Sequence, residues 1–202
     1  METESVFVRE EATYRPTEWA VGPWGSDLLQ GSASAGLLAR ALERLDRPQP
    51  MTPARLAFDF WRPVTRGPIA TSVSILRDGK KARTVEATLV QEGQVVARCT
   101  ALFLRADGAS TPPWPTPAVT WPGPESGRPI PARVRQWSPF FTGVDTRVVD
   151  GDLLKPGPAA AWFTLTRPLV AGEPTSRSSR PSRRRTSPAG SRRWSTCGSG
   201  AS

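Results

Sequence analysis

The sequence predicts an α+β fold in which one helix is wrapped by a curved antiparallel sheet. The first observation is a helical pattern over residues 32–45, where leucines recur every three or four positions among alanines and a glycine. The second is a series of four β-branched stretches that follows this helix and is divided by turn signals. Because its side chains are so small, the helix can approach another backbone closely. This favours a helix enclosed by the sheet.

The helix is the clearest element of the N-terminal unit, which we predict over residues 1–106 with two short strands ahead of the helix. Ser32 or Ser34 is the candidate N-cap, since a hydroxyl there can accept a hydrogen bond from a free backbone N–H group. Pro48 marks the end of the helix. The apolar stripe consists of Leu38, Leu42 and Leu45.

Four strands are expected after the helix, as a meander in which each strand pairs with the next. Their ranges are 55–63, 69–77, 81–91 and 94–105. Asp78-Gly79 predicts a two-residue hairpin turn, and Glu92-Gly93 marks a second turn. The last strand is largely apolar on both faces, which predicts a central position or an interface. Apolar residues that alternate with polar ones, and should face the core, are Val73, Ile75, Val85, Ala87 and Leu89.

A proline-rich segment follows over residues 107–132, with eight prolines and two tryptophans. We interpret it as an extended linker that packs its tryptophans on a neighbouring domain, in preference to a proline motif for an SH3-type partner. Residues 133–172 are expected to form the opening strands of another unit. The strand-like stretches lie at 133–137, 146–149, 160–166 and 169–172.

The composition changes abruptly at Glu173. Residues 173–202 contain seven arginines and no Leu, Ile, Val, Phe, Met or Tyr, which predicts a disordered tail. The net charge of +9 therefore describes this tail more than the folded part. Such a tail could bind nucleic acid by neutralising phosphates. We favour the alternative, an out-of-frame reading of GC-rich coding sequence, and do not expect a nucleic-acid partner.

The residue counts exclude several kinds of chemistry. The chain has no histidine, so imidazole-based triads and most catalytic zinc sites are excluded. Two cysteines are too few for a disulfide framework or a cysteine-based metal site. The N-terminus is acidic and no apolar run approaches the length of a membrane span. We therefore expect a cytoplasmic protein with no signal peptide, membrane segment, metal or cofactor.

Several segments together resemble the thioesterase-like branch of the acyl-CoA thioesterase II family. They are residues 21–31 (VGPWGSDLLQG) and 35–44 (AGLLARALER), with later parts at 62–68, 76–80 and 91–97. In that family a Gly-Pro-Trp segment introduces the central helix of a hotdog fold. The resemblance covers residues 5–106 well and residues 133–172 loosely.

The resemblance implies two hotdogs in one chain, of which the second is expected to be incomplete here. The family places its catalytic Asp, Thr and Gln mainly in that second half, which should follow Gly172. We therefore expect a protein that hydrolyses acyl-CoA thioesters or only binds them. The alternative is a non-catalytic hotdog that binds acyl-CoA or dimerises. Because the missing half would cover apolar surface, we also expect a homo-oligomer.

Hotdog thioesterases work without histidine, by attack of water or a carboxylate on the thioester while backbone N–H groups at the helix start hold the oxyanion. The candidate catalytic residues are therefore Asp27 as a carboxylate, Gln30 as a side-chain donor and Gly31 for close approach. Each also has a structural explanation. Asp27 can stabilise the loop, Gln30 can face solvent or support the site from behind, and Gly31 can serve backbone freedom alone.

The candidate substrate-binding residues are three aromatics, which line either the core or an acyl tunnel: Trp24, Phe60 and Trp61. Asp59 should face away from its aromatic neighbours in the strand and so away from the site. A patch for the coenzyme A phosphates could use Arg62, Arg66, Lys80 or Lys81.

Overall fold

The computed structural model describes residues 4–46, 50–105 and 121–174. The chain begins with a hairpin of strands β1 (Phe7–Glu10) and β2 (Thr13–Pro16). A short 3-10 helix (Glu18–Ala20) and a loop then lead into helix α1 (Gly31–Glu43). Most of the predicted linker and nearly all of the predicted tail lie outside the described residues.

The main sheet has six antiparallel strands. The four that follow α1 are β3 (Met51–Phe60), β4 (Ile69–Asp78), β5 (Ala82–Gln91) and β6 (Gln94–Arg105). The strand order is β1-β2-β4-β5-β6-β3. The predicted strands are confirmed, but the four-strand meander is wrong, because β3 pairs with β6 and only β4, β5 and β6 form a meander. The connection from β3 to β4 passes the start of α1, where the Leu29 N–H donates to the Val64 carbonyl.

Helix α1 lies against the inner face of this sheet. It contacts β4, β5 and β6, and its leucines are fully buried with the inward residues of those strands. The predicted N-caps are wrong. The helix begins at Gly31, one residue before the predicted range of 32–45. Gln30 occupies the cap position, and its side chain makes no capping hydrogen bond. The central prediction, a small-sided helix wrapped by the sheet, is confirmed.

Most strand faces follow the predicted alternation. In β5, Val85, Ala87 and Leu89 are fully buried between half-buried polar residues. In β4 the prediction fails for Ile75, which is exposed next to a bulge between Ile75 and Arg77. A bulge bends the strand away from the core. The interior position predicted for the last strand is confirmed, since β6 lies between β5 and β3.

Of the two predicted hairpin turns, the one at Glu92-Gly93 is confirmed and the two-residue turn at Asp78-Gly79 is wrong. Glu92 and Gly93 form a two-residue turn between the paired Gln91 and Gln94, and both turn residues have positive φ. This is the type I′ geometry that fits the twist of a hairpin. Asp78 instead stays in its strand, paired with Arg83, so the Asp78-Gly79 connection is longer than the predicted two residues.

The region after the linker packs onto the first part. It contains a second sheet and two short helices: β7 (Arg128–Pro129), α2 (Ala132–Arg135), α3 (Pro139–Thr142), β8 (Val144–Gly151) and β9 (Ala159–Leu165). The strand predicted at 133–137 is wrong, since most of it is helical. Phe140, Val144 and Val170 belong to the same buried cluster as α1. Residues 168–171 bond to the outer edge of β1.

Glu173, where we expected the tail to begin, is bound to the helix. Both oxygens of its carboxylate accept hydrogen bonds from the buried Arg40, one of them from Nε at 2.6 Å, and Arg44 adds a contact at 3.2 Å. Arg40 also donates to the Tyr14 hydroxyl at 2.7 Å. The hydrogen bond from Arg40 lowers the pKa of Glu173. The end of the described chain is thereby joined to the middle of the fold.

Candidate functional site

The start of α1 is held in place by backbone hydrogen bonds from two directions. The Gln30 N–H donates to the Ala20 carbonyl at 2.8 Å, and the Leu29 N–H donates to the Val64 carbonyl at 2.9 Å. Isolated bridges join Val21 to Leu29 and Leu28 to Thr65. The loop that precedes the helix is therefore fixed between the 3-10 helix and the β3–β4 connection.

Gln91, at the end of β5, supports this connection. Its buried amide oxygen accepts from the Thr65 backbone N–H and hydroxyl, and its amide nitrogen donates to the carbonyls of Thr65 and Gly67. Both polar ends of the side chain are satisfied inside the protein. Gln91 thus fixes the segment on which the start of α1 rests.

Two backbone N–H groups at the helix start remain free. The N–H groups of Gly31 and Ser32 have no acceptor among the described residues, and Gln30 provides no side-chain cap. Free N–H groups at the first turn carry the positive end of the helix dipole. They can bind a carbonyl oxygen that develops negative charge. This is the chemistry that the sequence led us to expect at Gly31.

Gln30 lies beside these N–H groups. Its side chain is 9% exposed and its Oε1 has no hydrogen-bond partner among the described residues. A Cβ on Gly22 would lie 3.1 Å from this Oε1 and 3.0 Å from the Trp24 ring. Gly22 therefore lets the Trp24 indole and the Gln30 amide approach the same point. Because Gln30 is buried, the alternative in which its amide faces solvent is wrong.

Asp27 occupies a different position. It is exposed in the loop, and within the described chain its carboxylate has no hydrogen-bond or ion-pair partner. Its backbone carbonyl accepts from the Arg66 N–H at 3.1 Å. Nothing in the described chain orients this carboxylate toward the free N–H groups, as a general base would need.

Phe60, the last residue of β3, and Trp61, which follows it, point to opposite sides. The Phe60 ring, 49% exposed, reaches to 4.0 Å from the position of a Cβ on Gly31. Trp61 instead stacks under the Arg98 guanidinium, 4.9 Å from its ring centroid. Arg98 pairs there with Asp59 at 2.8 Å and Glu86 at 3.4 Å. The structure brings Trp24 and Phe60 to the helix start but does not bring Trp61 there, and Asp59 faces away as expected.

The predicted phosphate patch is not one cluster. Arg62 and Arg66 are exposed in the β3–β4 connection, at the same end of the sheet as the start of α1. Lys80 and Lys81 follow the far end of β4. A strand of this length spans roughly 30 Å. Only the two arginines are placed near the candidate site.

Cys99, the cysteine in the part of the chain that the structure describes, does not supply a reactive thiolate. Cys99 is fully buried on the inner face of β6, and burial raises the pKa of its thiol to about 11. The reactive form of cysteine is the thiolate, so this residue is inert near neutral pH. The residues that the structure describes include no cluster of three or more potential metal ligands. They also include no helix that combines the length and apolar character needed to span a membrane.

One polar residue of the site was missed as a functional candidate. Ser34 was expected only as a possible cap, but it lies inside the first turn of α1, is 1% exposed, and its Oγ has no partner among the described residues. The sequence offers no signal for this, because a serine near a helix start normally indicates a cap.

Comparison with protein families gives one match. Residues 20–104 match the model of the acyl-CoA thioesterase N-terminal domain. The matched range runs from the 3-10 helix through α1 to the end of β6 and includes the whole candidate site. No curated protein matches the chain in a sequence comparison.

Solved structures with similar folds include two described as thioesterases. A thioesterase II from Thermobifida fusca YX is 22% identical with a TM-score of 0.50, over 70% of this chain and 51% of that one. A thioesterase from Novosphingobium aromaticivorans is 20% identical with a TM-score of 0.54, over 80% and 65%. A hot dog protein of unknown function from Alicyclobacillus acidocaldarius is 17% identical with a TM-score of 0.56, over 78% and 59%. The chain spans less than two thirds of each structure.

Proposed function

We propose that this chain, whose residues 20–104 match the acyl-CoA thioesterase N-terminal domain, binds acyl-CoA thioesters at the start of α1 and hydrolyses them there. The observation that carries the proposal is the pair of free N–H groups on Gly31 and Ser32, held in a fixed loop beside Gln30 and Phe60. These groups can donate hydrogen bonds to the thioester carbonyl oxygen. Phe60 and Trp24 provide apolar surface for the acyl chain.

Hydrolysis at this site requires only water as co-reactant. The water oxygen forms the new bond to the thioester carbon while the carbonyl oxygen gains charge against the N–H groups. The C–S bond then breaks. One water proton goes to the leaving sulfur and the other is released to solvent, which yields a carboxylate and free coenzyme A. In this proposal Asp27 is the carboxylate available to assist the water.

A second function, acyl-CoA binding without hydrolysis, is favoured by one observation. The Asp27 carboxylate is exposed and has no partner to orient it among the described residues. We therefore expect slow turnover or none, together with measurable binding.

The test is thioester cleavage over a range of acyl chain lengths, with detection of the free thiol. Binding of non-hydrolysable thioether analogues is measured in parallel. If Asp27 assists the water, Asp27→Ala lowers turnover by 10²-fold or more, on the order expected for a general base, and leaves binding unchanged. Asp46→Ala is a matched control, because Asp46 is also exposed but lies beyond the opposite end of α1. Robust hydrolysis by Asp27→Ala would show that the assignment of Asp27 to the site is wrong. Absence of analogue binding by the wild-type chain would reject the proposed function.

A further inference from the structure

Two buried polar atoms at the start of α1 have no hydrogen-bond partner among the described residues. They are Gln30 Oε1 and Ser34 Oγ, on side chains that are at least nine-tenths buried. An unpartnered buried polar atom is destabilising, and folded proteins keep few of them. Two in one helical turn indicate hydrogen bonds to a group that the chain does not supply.

The two side chains share one turn with the free N–H groups. The Ser34 N–H donates to the Gln30 carbonyl at 3.3 Å, and residues three or four apart lie on the same side of a helix. Gly31 is three residues before Ser34 and has Phe60 against it. Both side chains therefore belong to the helical turn that carries the candidate oxyanion site.

The donor and acceptor capacities restrict what can bind. Gln30 Oε1 can only accept, whereas the Ser34 hydroxyl can donate or accept. A thioester carbonyl has no hydrogen to donate, so it cannot satisfy Gln30. A single N–H group has one hydrogen to donate and no lone pair to accept with, so it could satisfy Gln30 or Ser34 but not both. One O–H group satisfies both, because it can donate to Gln30 Oε1 while it accepts from the Ser34 hydroxyl.

We propose that Gln30 and Ser34 form a hydroxyl-binding pair beside the oxyanion site, an inference that rests on the proposed function. The hydroxyl belongs either to the attacking water or to a hydroxyl substituent on the acyl chain of the substrate. In the first case Ser34 is a positioning residue for the water. In the second, the pair selects hydroxyacyl thioesters over plain ones, since a site built for a substrate hydroxyl discriminates against analogues that lack it.

The test compares Ser34→Ala with Ser74→Ala. Ser74 is the matched control because it is an exposed serine of β4 that has no part in the candidate site. Affinity is measured for two non-hydrolysable thioether analogues, of octanoyl-CoA and of 3-hydroxyoctanoyl-CoA, and kcat and KM for the two thioesters. Alanine favours helices and removes only an unpartnered hydroxyl, so the variant should remain folded, as a thermal unfolding curve will check.

A substrate hydroxyl predicts that the wild-type chain binds the hydroxylated analogue about tenfold more tightly, and that Ser34→Ala abolishes this preference. An attacking water predicts equal binding of the two analogues and a kcat about tenfold lower in Ser34→Ala at unchanged KM. In both cases Ser74→Ala behaves as wild type.

The proposal is overturned if Ser34→Ala cannot be distinguished from Ser74→Ala in any of these assays. If the wild-type chain binds neither analogue, the proposed function fails, and the pair is then tested in a high-resolution crystal structure of the free protein. A water within hydrogen-bond distance of both atoms supports the pair. Two atoms bonded to each other, or left without any water, reject it.

Discussion

Three buried polar side chains differ in how their hydrogen bonds are satisfied. Gln91 makes every bond inside the protein and holds the β3–β4 connection. Arg40 is buried in the helix but is paired with Glu173 and Tyr14. Gln30 alone of these three keeps an unsatisfied atom, and it is the one at the candidate site. A buried polar group has a stabilising or a functional role according to whether the chain itself completes its bonds.

At the residue scale, we expect Glu173→Gln to lower the free energy of unfolding by about 2 kcal/mol at pH 7, because it leaves the buried Arg40 without its charged partner. The pKa of Glu173 is lowered in the folded state by the hydrogen bond from Arg40. The contribution of the Glu173 carboxylate to the free energy of unfolding is therefore fully present above the ordinary pKa of a glutamate. It is lost as the pH falls through the lowered pKa of the folded state. The difference in the free energy of unfolding between Glu173→Gln and the wild type should decrease toward pH 3.

Urea unfolding at pH 7 and at several values down to pH 3 measures this effect. Glu10→Gln is the control, because Glu10 forms an ion pair with Arg15 in which both side chains are about half exposed. Such exposed pairs contribute about 0.5 kcal/mol or less. If Glu173→Gln lowers the free energy of unfolding by the same amount at pH 7 and at pH 3, the ion-pair explanation is contradicted.

At the element scale, the β5–β6 hairpin depends on backbone conformations that few residues adopt. Glu92 has a φ of 51° and Gly93 a φ of 74°, and no atom lies within 4 Å of a Cβ built on Gly93. The restriction at Gly93 is therefore conformational and not steric crowding by neighbours. Asn-Gly is the preferred pair for this turn, and the glutamate is a poor choice at a positive φ.

Opposite effects are expected from two substitutions in this turn. Gly93→Ala should lower the free energy of unfolding by about 1 kcal/mol, since alanine in the left-handed region is strained. Glu92→Asn should raise it by about 0.5 kcal/mol, because asparagine tolerates positive φ. Chemical denaturation of both variants checks this. Stabilisation by Gly93→Ala would mean that the turn is not of type I′.

At the scale of the whole molecule, one edge of the main sheet is free. The outer edge of β3 has no strand partner within the described ranges, and Phe60 and Leu104 on or beside it are exposed. Unpaired edges of this length can pair with a strand of another chain. The outer face of the sheet is mostly polar near Arg98, with its two carboxylate partners. The free edge is thus a better candidate for contact between chains than that face.

We therefore expect self-association of the full chain through β3 at tens of micromolar. Sedimentation velocity over a concentration series measures it. Ala57→Lys places a charge on an exposed position of this edge strand and should weaken the association. A stable monomer over the whole series would contradict the expectation, and association that Ala57→Lys leaves unchanged would place the contact elsewhere.

Much of the fold and part of the site could be predicted from local patterns. Helical periodicity and small residues identified α1, and strand alternation identified β3 to β6. The family resemblance of the loop before α1 suggested Gln30 and Gly31 as candidate site residues. These features depend on neighbours in the chain, and a sequence displays them directly. The Glu92-Gly93 pair likewise marks a turn by its own backbone preferences.

Only the tertiary structure decided which elements meet. Periodicity does not encode contacts between residues that are distant in the chain. Three such features are the pairing of β3 with β6, the ion pair of Glu173 with Arg40, and the placement of Trp61 away from Phe60. The same holds for Ser34, whose hydroxyl became a buried unpartnered group because the sheet encloses the helix start. Local preferences are properties of short segments, whereas strand order and burial depend on the packing of the whole chain.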